Sequence, residues 1–234
     1  MLLSGYKTNI PGASVLIFAQ SEILINDIKK LISSDFLHLD ASNPALSDTL
    51  CLKQVDAVFF EINTLNDIDS SIRCIEEIRK TNQSTCIFIL VTHTKSFSST
   101  QHYVSGADHC LKLPNDQRER RALLSQAIQE SHWISPVQLH LDRTRLLLLS
   151  ATRKIEITYT EMIIIDALVQ APEHVMSQDS IAKTLDPNII FYDPRALEKT
   201  ISRLRTKIKK TYNVELILSV RAHGYRLRRG SISI

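Results

Sequence analysis

RALEKTISRLRTKI, residues 195–208, is the most strongly patterned stretch of this 234-residue chain. Its apolar residues recur at intervals of four, three and four, which predicts an amphipathic helix with one face on a core. These core positions are Leu197, Ile201, Leu204 and Ile208. Basic residues fall largely on the opposite face: Arg195, Lys199, Arg203, Lys207 and Lys210. A helix face of this charge is suited to bind a polyanion.

The charge around this helix differs from that of the rest of the chain. Residues 195–229 carry 11 basic and 2 acidic side chains, and the whole chain has a net charge of +3. Residues 1–136 are slightly acidic, with 12 Lys and Arg against 15 Asp and Glu. An acidic half joined to a basic half is typical of a regulatory domain joined to a nucleic-acid binder.

The composition is that of a folded protein, with 44% apolar and 23% charged residues. These values exclude a disordered or fibrous chain, and the length suits one large domain or two ordinary ones. No apolar run approaches the roughly 18–20 residues of a membrane-spanning helix, and we expect no signal peptide. Cys51, Cys74, Cys86 and Cys110 form no CxxC pair. We therefore expect reduced thiols in a cytoplasmic protein without metal or cofactor.

Apolar strands and amphipathic helices alternate through the first half of the chain. Strands are predicted at Val15–Phe18, Leu37–Leu39, Val55–Phe60, Cys86–Val91 and His109–Leu113. Helices are predicted at Ile23–Ile32, Ala45–Leu52, Ile68–Lys80 and Asp116–Ser131. A further helix is predicted in the segment that ends at Ser105. This alternation predicts an α/β fold, a flavodoxin-like doubly wound parallel sheet of five strands. In such a fold, ligands bind at the carboxyl ends of the strands.

The first half resembles the receiver domain of response regulators. In that family, an acidic pair after the first strand holds Mg²⁺, and an Asp at the end of the third strand accepts a phosphoryl group. A Thr or Ser and a Lys end the fourth and fifth strands. The matching positions here are Ala19 and Gln20, then Glu61, Thr92 and Leu113. Because the metal carboxylates are missing, the resemblance implies a degenerate receiver without Asp phosphorylation.

Glu61 has two interpretations at this stage. It could be a fixed anion that partly mimics a phosphorylated Asp, although a carboxylate carries less charge than a phosphoryl group. Alternatively, it is a polar residue at a strand end that accepts hydrogen bonds from local backbone donors.

The second half resembles the OmpR-type winged-helix domain. The matching blocks are ITYTEMIIIDAL at 157–168, RALEKTISRLRTKI, and ILSVRAHGYRL at 217–227. Family members show LT-x-x-E, then R-x-x-x-x-x-I-x-x-LR, then TVRG-x-GY. The resemblance predicts a receiver-like domain at 1–130, a linker at 131–138 and a winged helix-turn-helix domain at 139–234.

The family resemblance also implies which residues contact double-stranded DNA. Residues expected in the major groove are Lys199, Thr200, Ser202 and Arg203. Phosphate contacts are expected from Arg195, Arg205 and Lys207, and contacts from the hairpin, or wing, are expected from Ser219, Arg221 and Tyr225.

Two protein partners follow from the same resemblance. We expect a homodimer on repeated promoter sites, because linking two modules raises affinity. Its interface candidates are Asp108, Arg118, Arg121 and Leu123. RNA polymerase could contact the apolar loop residues Ile189, Ile190, Phe191 and Tyr192. Alternatively, two or more of these pack against the helices.

The sequence therefore predicts a DNA-binding transcription regulator, not an enzyme, that acts as a dimer without Asp phosphorylation. Two alternatives remain. One is a conventional regulator controlled by a phosphorelay. The other is a DNA-binding module gated by a small molecule or protein that binds the receiver-like domain.

Overall fold

The computed structural model describes residues 8–39, 54–92, 97–131, 133 and 138–234, with the side chains of 14–32 in the first range. The chain divides into two compact units, Met1–Ser135 and Pro136–Ile234. The helix expected at Ala45–Leu52 lies outside the described residues, as does most of the linker expected at 131–138. No helix in the described ranges is both long and apolar enough to cross a membrane.

The first unit contains a five-stranded parallel sheet, as the sequence predicts. Its strands are β1 (Thr8–Phe18), β2 (Ile32–Leu39), β3 (Ala57–Ile62), β4 (Cys86–Val91) and β5 (His109–Lys112). Their order is β2-β1-β3-β4-β5. Strands β1 and β2 begin earlier than predicted. The start of β1 could not be recognised in the sequence because Pro11 and Gly12 interrupt its apolar pattern. The register of β1 relative to β2 shifts between Asn9 and Ser14.

Helices cover both faces of this sheet. They are α1 (Glu22–Leu31), α2 (Asn66–Thr81), α3 (Thr100–Ser105) and α4 (Gln117–Ser131). Alternate residues of a strand point to opposite faces, so Val15 and Ile17 of β1 join the core beneath α1 and α4. Their neighbours Leu16 and Phe18 join the core beneath α2. The sheet is therefore doubly wound.

The second unit is a winged helix. It begins with β6 (Leu139–Asp142), β7 (Leu147–Leu149) and β8 (Lys154–Glu156). Its helices are α5 (Tyr159–Gln170), α6 (Gln178–Leu185) and α7 (Pro194–Tyr212). The remaining strands are β9 (Val175–Ser177), β10 (Ile217–Val220), β11 (Gly224–Leu227) and β12 (Ile232–Ser233). They form sheets of order β10-β11-β9 and β12-β6-β7-β8.

Local sequence features set the ends and faces of these helices. Thr158 and Glu161 form a reciprocal capping box at the start of α5. The apolar face of α7 lies in the core of the unit, with Ile201, Leu204 and Ile208 at 1% exposure or less. Gly224 is required where β11 passes β9, because a Cβ there would lie 2.1 Å from the carbonyl oxygen of Met176.

Candidate nucleic-acid interface and strand-end site

The outer face of α7 presents a basic stripe to solvent. Asp193 caps the helix by accepting a hydrogen bond from the backbone of Arg195 at 2.9 Å. The side chains of Arg195, Lys199 and Arg203 follow one another at intervals of four residues and are exposed. Within the described residues, these three side chains make no hydrogen bond or ion pair, so they are available to a ligand. Ser202 is exposed beside them.

Two other residues expected at this interface bond within the unit. The hydroxyl of Thr200 donates to the carbonyl of Ala196 at 3.0 Å. The ammonium of Lys207 donates to Glu161 at 2.7 Å and to the carbonyl of Glu156 at 3.2 Å. Lys207 therefore ties α7 to the start of α5, a role that its position in the basic stripe did not suggest.

Arg205 and Tyr225, which were expected to contact DNA, lie instead against each other within the unit. The ring of Tyr225 is buried, with 5% of the residue exposed, and packs in the core of the unit. Arg205 is half-buried and lies over that ring, its guanidinium carbon 5.3 Å from the ring centroid. Burial lowers the pKa of Arg205 and raises that of Tyr225. Tyr225 is thus part of the foundation of the wing and does not project from it.

The tip of the wing is a tight turn between β10 and β11. Arg221 and Ala222 are exposed there, and Ser219 is exposed on β10. Ala222 adopts the left-handed conformation, with φ of 56°. The resembling family has Gly at this position, and an L-residue with a Cβ adopts this conformation at a cost of roughly 1–2 kcal/mol.

The apolar loop between α6 and α7 is half exposed. Ile190 and Phe191 have exposed fractions of 86% and 91%. Ile189 and Tyr192 are partly buried, and Tyr192 donates from its hydroxyl to Asp179 at 2.8 Å. Tyr192 therefore packs against the core of the unit, and Ile189 is partly buried. Ile190 and Phe191, which are adjacent in the sequence, form an exposed apolar patch.

At the carboxyl ends of the strands, Glu61 joins three chain segments. Its Oε2 accepts hydrogen bonds from the backbone nitrogens of Gln20 and Ser21, at 2.8 and 2.9 Å. Its Oε1 accepts from the hydroxyl of Thr92 at 3.3 Å. Glu61 is buried, and Ser21 is the N-cap of α1. The carboxylate therefore lies at the positive end of that helix, where an anion is favoured.

The other positions aligned with the phosphorylation site offer no carboxylate for a metal ion. Ala19 is buried, Gln20 is exposed, and Leu113 packs into the core with 6% exposure. A cavity of about 20 Å³ lies beside Glu61 and is lined by Asp67, Ser70, Ser71 and Cys74. This volume is enough for one water molecule.

The expected dimer residues of the first unit have different roles. Asp108 is buried, pairs with Arg79 at 2.7 Å and accepts from the backbone of Ile87, so its carboxylate is bonded within the unit. Arg121 donates to the fully buried Asp27 at 2.6 Å. Leu123 packs partly against the core, and Arg118 is exposed.

Asp27 is a buried charge that the sequence interpretation missed. Burial alone would raise its pKa, but hydrogen bonds from Arg121, Arg120 and Gln117 outweigh this effect and lower it. Together they clamp α1 to α4. An acidic residue between the core positions Leu24 and Ile28 was the available signal.

His102 of α3 is a second buried titratable group that the sequence did not reveal. It is fully buried, and its Nε2 lies 3.0 Å from the hydroxyl of Ser71, which donates to the carbonyl of Ile68. Its Nδ1 has no hydrogen-bond partner in the described part of the chain. Burial lowers the pKa of His102 from 6.5 to about 4.

Comparison with known proteins agrees with the winged-helix geometry. Residues 152–227 match the family described as "Transcriptional regulatory protein, C terminal". That segment contains α5, α6, α7 and the wing.

Relatives extend over more of the chain. The virulence transcriptional regulatory protein PhoP of Salmonella typhi is 25% identical over 224 residues, 90% of this chain and 96% of that protein. Transcriptional regulatory protein PhoP of Escherichia coli O157:H7 is 31% identical over 108 residues, 46% of each chain. The solved C-terminal domain of NsrR, a lantibiotic response regulator, is 32% identical over 38% of this chain and 89% of that domain, with a TM-score of 0.34.

Proposed function

We propose that this chain is a DNA-binding transcription regulator of the OmpR/PhoB type, because residues 152–227 match the family model for the C-terminal part of transcriptional regulatory proteins and the chain is similar to PhoP regulators. The proposal is that α7 enters the major groove of duplex DNA. The protein acts as a dimer on repeated sites, and it does so without phosphorylation of an Asp.

The observation that carries the proposal is the unpaired basic stripe of α7. Arg195, Lys199 and Arg203 are exposed, whereas the opposite face of the helix is fixed in the core. A major groove admits one helix, and Arg can bind both acceptors of a guanine edge. We assign base contacts to Lys199, Ser202 and Arg203, with Thr200 beside them, and a phosphate contact to Arg195.

The wing supplies the second set of DNA contacts. Ser219 and Arg221 are exposed on β10 and at the turn. Their side chains are suited to phosphate oxygens, which position a protein on the duplex without reading its sequence. Arg205, Lys207 and Tyr225 support the helix and the wing from inside.

Independence from phosphorylation is supported by the contacts of Glu61. A carboxylate already accepts the backbone donors of Gln20 and Ser21 and the hydroxyl of Thr92. An anion therefore stands permanently where the resembling family gains one on phosphorylation. Ala19 and Gln20 also lack the carboxylates that hold Mg²⁺.

Dimerisation and contact with RNA polymerase complete the proposal. Arg118, which is exposed, and Leu123, which is half-buried, remain available on α4 for a second subunit. Ile190 and Phe191 form an exposed apolar patch in the second unit, and such patches mark partner surfaces. We assign this patch to contact with RNA polymerase.

The test is DNA binding by the purified, unmodified protein. A duplex is selected from a random pool with the full chain, and affinity is measured with and without Mg²⁺ and acetyl phosphate. Light scattering gives the mass of the protein and of its complex. We expect selective binding as a dimer, with no response to acetyl phosphate and no phosphoryl group detected by mass spectrometry.

Contrary results would separate the parts of the proposal. Failure to select any duplex would refute DNA readout by α7. A monomer that binds only after treatment with acetyl phosphate would refute phosphorylation independence. It would instead support the alternative of a regulator controlled by a phosphorelay.

A further inference from the structure

We propose that Arg205 is a positioning residue that holds the wing at a fixed place relative to α7. This inference rests on the proposed DNA readout by α7 and the wing. It assigns to Arg205 a role other than phosphate contact, because the contacts of its guanidinium are made inside the domain.

Arg205 makes three contacts with the hairpin of β10 and β11. Its Nε donates to the carbonyl of Ile217 at 2.7 Å, and its Nη2 donates to the hydroxyl of Ser219 at 3.0 Å. Its guanidinium carbon lies over the ring of Tyr225, 5.3 Å from the ring centroid. One side chain of α7 thus binds both strands of the wing.

The register of the hairpin makes these contacts converge. Ser219 is directly opposite Tyr225 in the antiparallel ladder, and Tyr225 is in turn opposite Met176 of β9. Arg205 therefore contacts a cross-strand pair whose second member is fixed on its far side by a third strand. A shift of the wing by one residue would break both hydrogen bonds and the cation–π contact.

Only an arginine can make this set of contacts. A guanidinium is planar, donates in fixed directions from its edge and presents a flat face to an aromatic ring. A lysine keeps the positive charge but has a single nitrogen on a flexible stem. Arg205 also lies half-buried between α7 and the hairpin, whereas Arg203 and Lys199 on the same helix are exposed.

The consequence concerns the distance between the two DNA-contacting parts. Arg221, at the tip of the wing, is two residues beyond Ser219, and Arg203 is two residues before Arg205 on α7. By joining Arg205 to Ser219, the domain sets how far the wing tip lies from the base-reading residues. A wing released from Arg205 would lose affinity because its position would have to be fixed on binding.

The experiment compares Arg205→Lys with Arg145→Lys in the full chain. Both variants keep the charge, and Arg145 is an exposed residue of the turn between β6 and β7 to which no DNA contact is assigned. Hydrogen–deuterium exchange of the DNA-free protein reports on residues 217–227. Affinity is measured for the duplex that the wild-type protein selects from a random pool, and circular dichroism verifies that each variant is folded.

We expect Arg205→Lys to exchange faster at 217–227 and to bind the selected duplex about tenfold more weakly, because the released wing must be ordered on binding. Arg145→Lys should leave both measurements at the wild-type values. Arg205→Lys with wild-type exchange would overturn the inference whatever its affinity, because the wing would not depend on the guanidinium. Faster exchange with unchanged affinity would overturn the role of Arg205 in positioning the wing for DNA, although the guanidinium would order the wing.

The exchange measurement needs no DNA and so separates this inference from the function on which it rests. If the wild-type protein selected no duplex, the proposed DNA readout would fail. Exchange at 217–227 would still show whether Arg205 holds the wing.

Discussion

The Oε2 atom of Glu61 lies 2.8 Å from the backbone nitrogen of Gln20, which donates a hydrogen bond to it. This bond joins the end of β3 to the loop after the neighbouring strand β1. The donor belongs to the residue that aligns with a metal-binding acid in the resembling family. A carboxylate of the protein itself therefore accepts a backbone hydrogen bond at the position that aligns with the metal-binding acids of the receiver family.

Substitution of Glu61 by Ala tests how much this carboxylate stabilises the first unit. The change leaves the backbone donors of Gln20 and Ser21 without their acceptor in a part-buried site. We expect the free energy of unfolding to fall by about 2 kcal/mol, typical of lost hydrogen bonds to a charged group. Urea unfolding followed by the fluorescence of Trp133, the single tryptophan, reports on this unit because Trp133 packs against its core.

The matched control for that measurement is Glu76→Ala, which removes an exposed carboxylate of α2. It should leave the unfolding midpoint unchanged. If Glu61→Ala also left the unfolding midpoint unchanged, the hydrogen bonds of Glu61 at the strand ends would contribute nothing to the stability of the unit.

A second prediction concerns pH and His102. Its folded-state pKa of about 4 lies below the usual value of 6.5, so the unfolded chain binds the proton more readily. Stability must therefore fall as the pH is lowered from about 6.5 towards 4, by about 3 kcal/mol in total from this group. Trp133 fluorescence in urea at several pH values measures the loss.

The control for His102 is the variant His102→Gln, which keeps an amide donor for Ser71 but does not titrate. Other groups change protonation in the same range, so the quantity of interest is the difference between wild type and variant. That difference should shrink as the pH falls. A difference that stays constant from pH 7 to pH 4 would mean that His102 takes up its proton in the folded state without cost.

The elements that the sequence predicts well are those whose patterns are long. Cys86–Val91 is continuously apolar, and residues 195–208 repeat their apolar positions over four turns, so β4 and α7 were predicted close to their observed bounds. Strands β9 and β12 have three and two residues, too few for a pattern to be recognised. They exist because neighbouring strands supply hydrogen-bond partners.

Side-chain roles were predicted less well than elements, for a physical reason. Spacing places Arg203 and Arg205 on a helix, but a long side chain can bond groups far from its own backbone. Arg205 reaches the hairpin 12 residues further along the chain, at Ile217. Likewise, Asp108 was expected at a surface, but a buried arginine of α2 pairs with it. The sequence gives the charge of such residues without their partners.

A third prediction tests base readout by α7. Arg203→Ala removes an exposed guanidinium from the stripe and leaves the core face intact. If this residue binds a guanine edge through two hydrogen bonds, binding to the selected duplex should weaken by roughly 1–3 kcal/mol. The preference for that base should relax as well, which a competition assay with singly substituted duplexes measures.

Lys210→Ala is the matched comparison for Arg203, because it removes an exposed cation from the last turn of the same helix. It should change affinity less and leave the base preference intact. An Arg203→Ala protein with wild-type affinity and preference would remove Arg203 from the interface.

The fourth prediction separates DNA binding from a later step of transcription. Ile190 and Phe191 are the most exposed large apolar residues of the described chain, at 86% and 91%, in the loop before α7. Replacing both by Asp removes this exposed apolar patch without disturbing a packed side chain, so folding and affinity for the selected duplex should be retained. Transcription in vitro from a template carrying that duplex should lose its response to the protein, because the apolar surface for the polymerase is gone.

The comparison variant is Lys183→Ala, which changes an exposed residue of the neighbouring helix α6 and should leave both measurements unaffected. A double Asp variant that regulates transcription normally would show that this loop does not contact the polymerase.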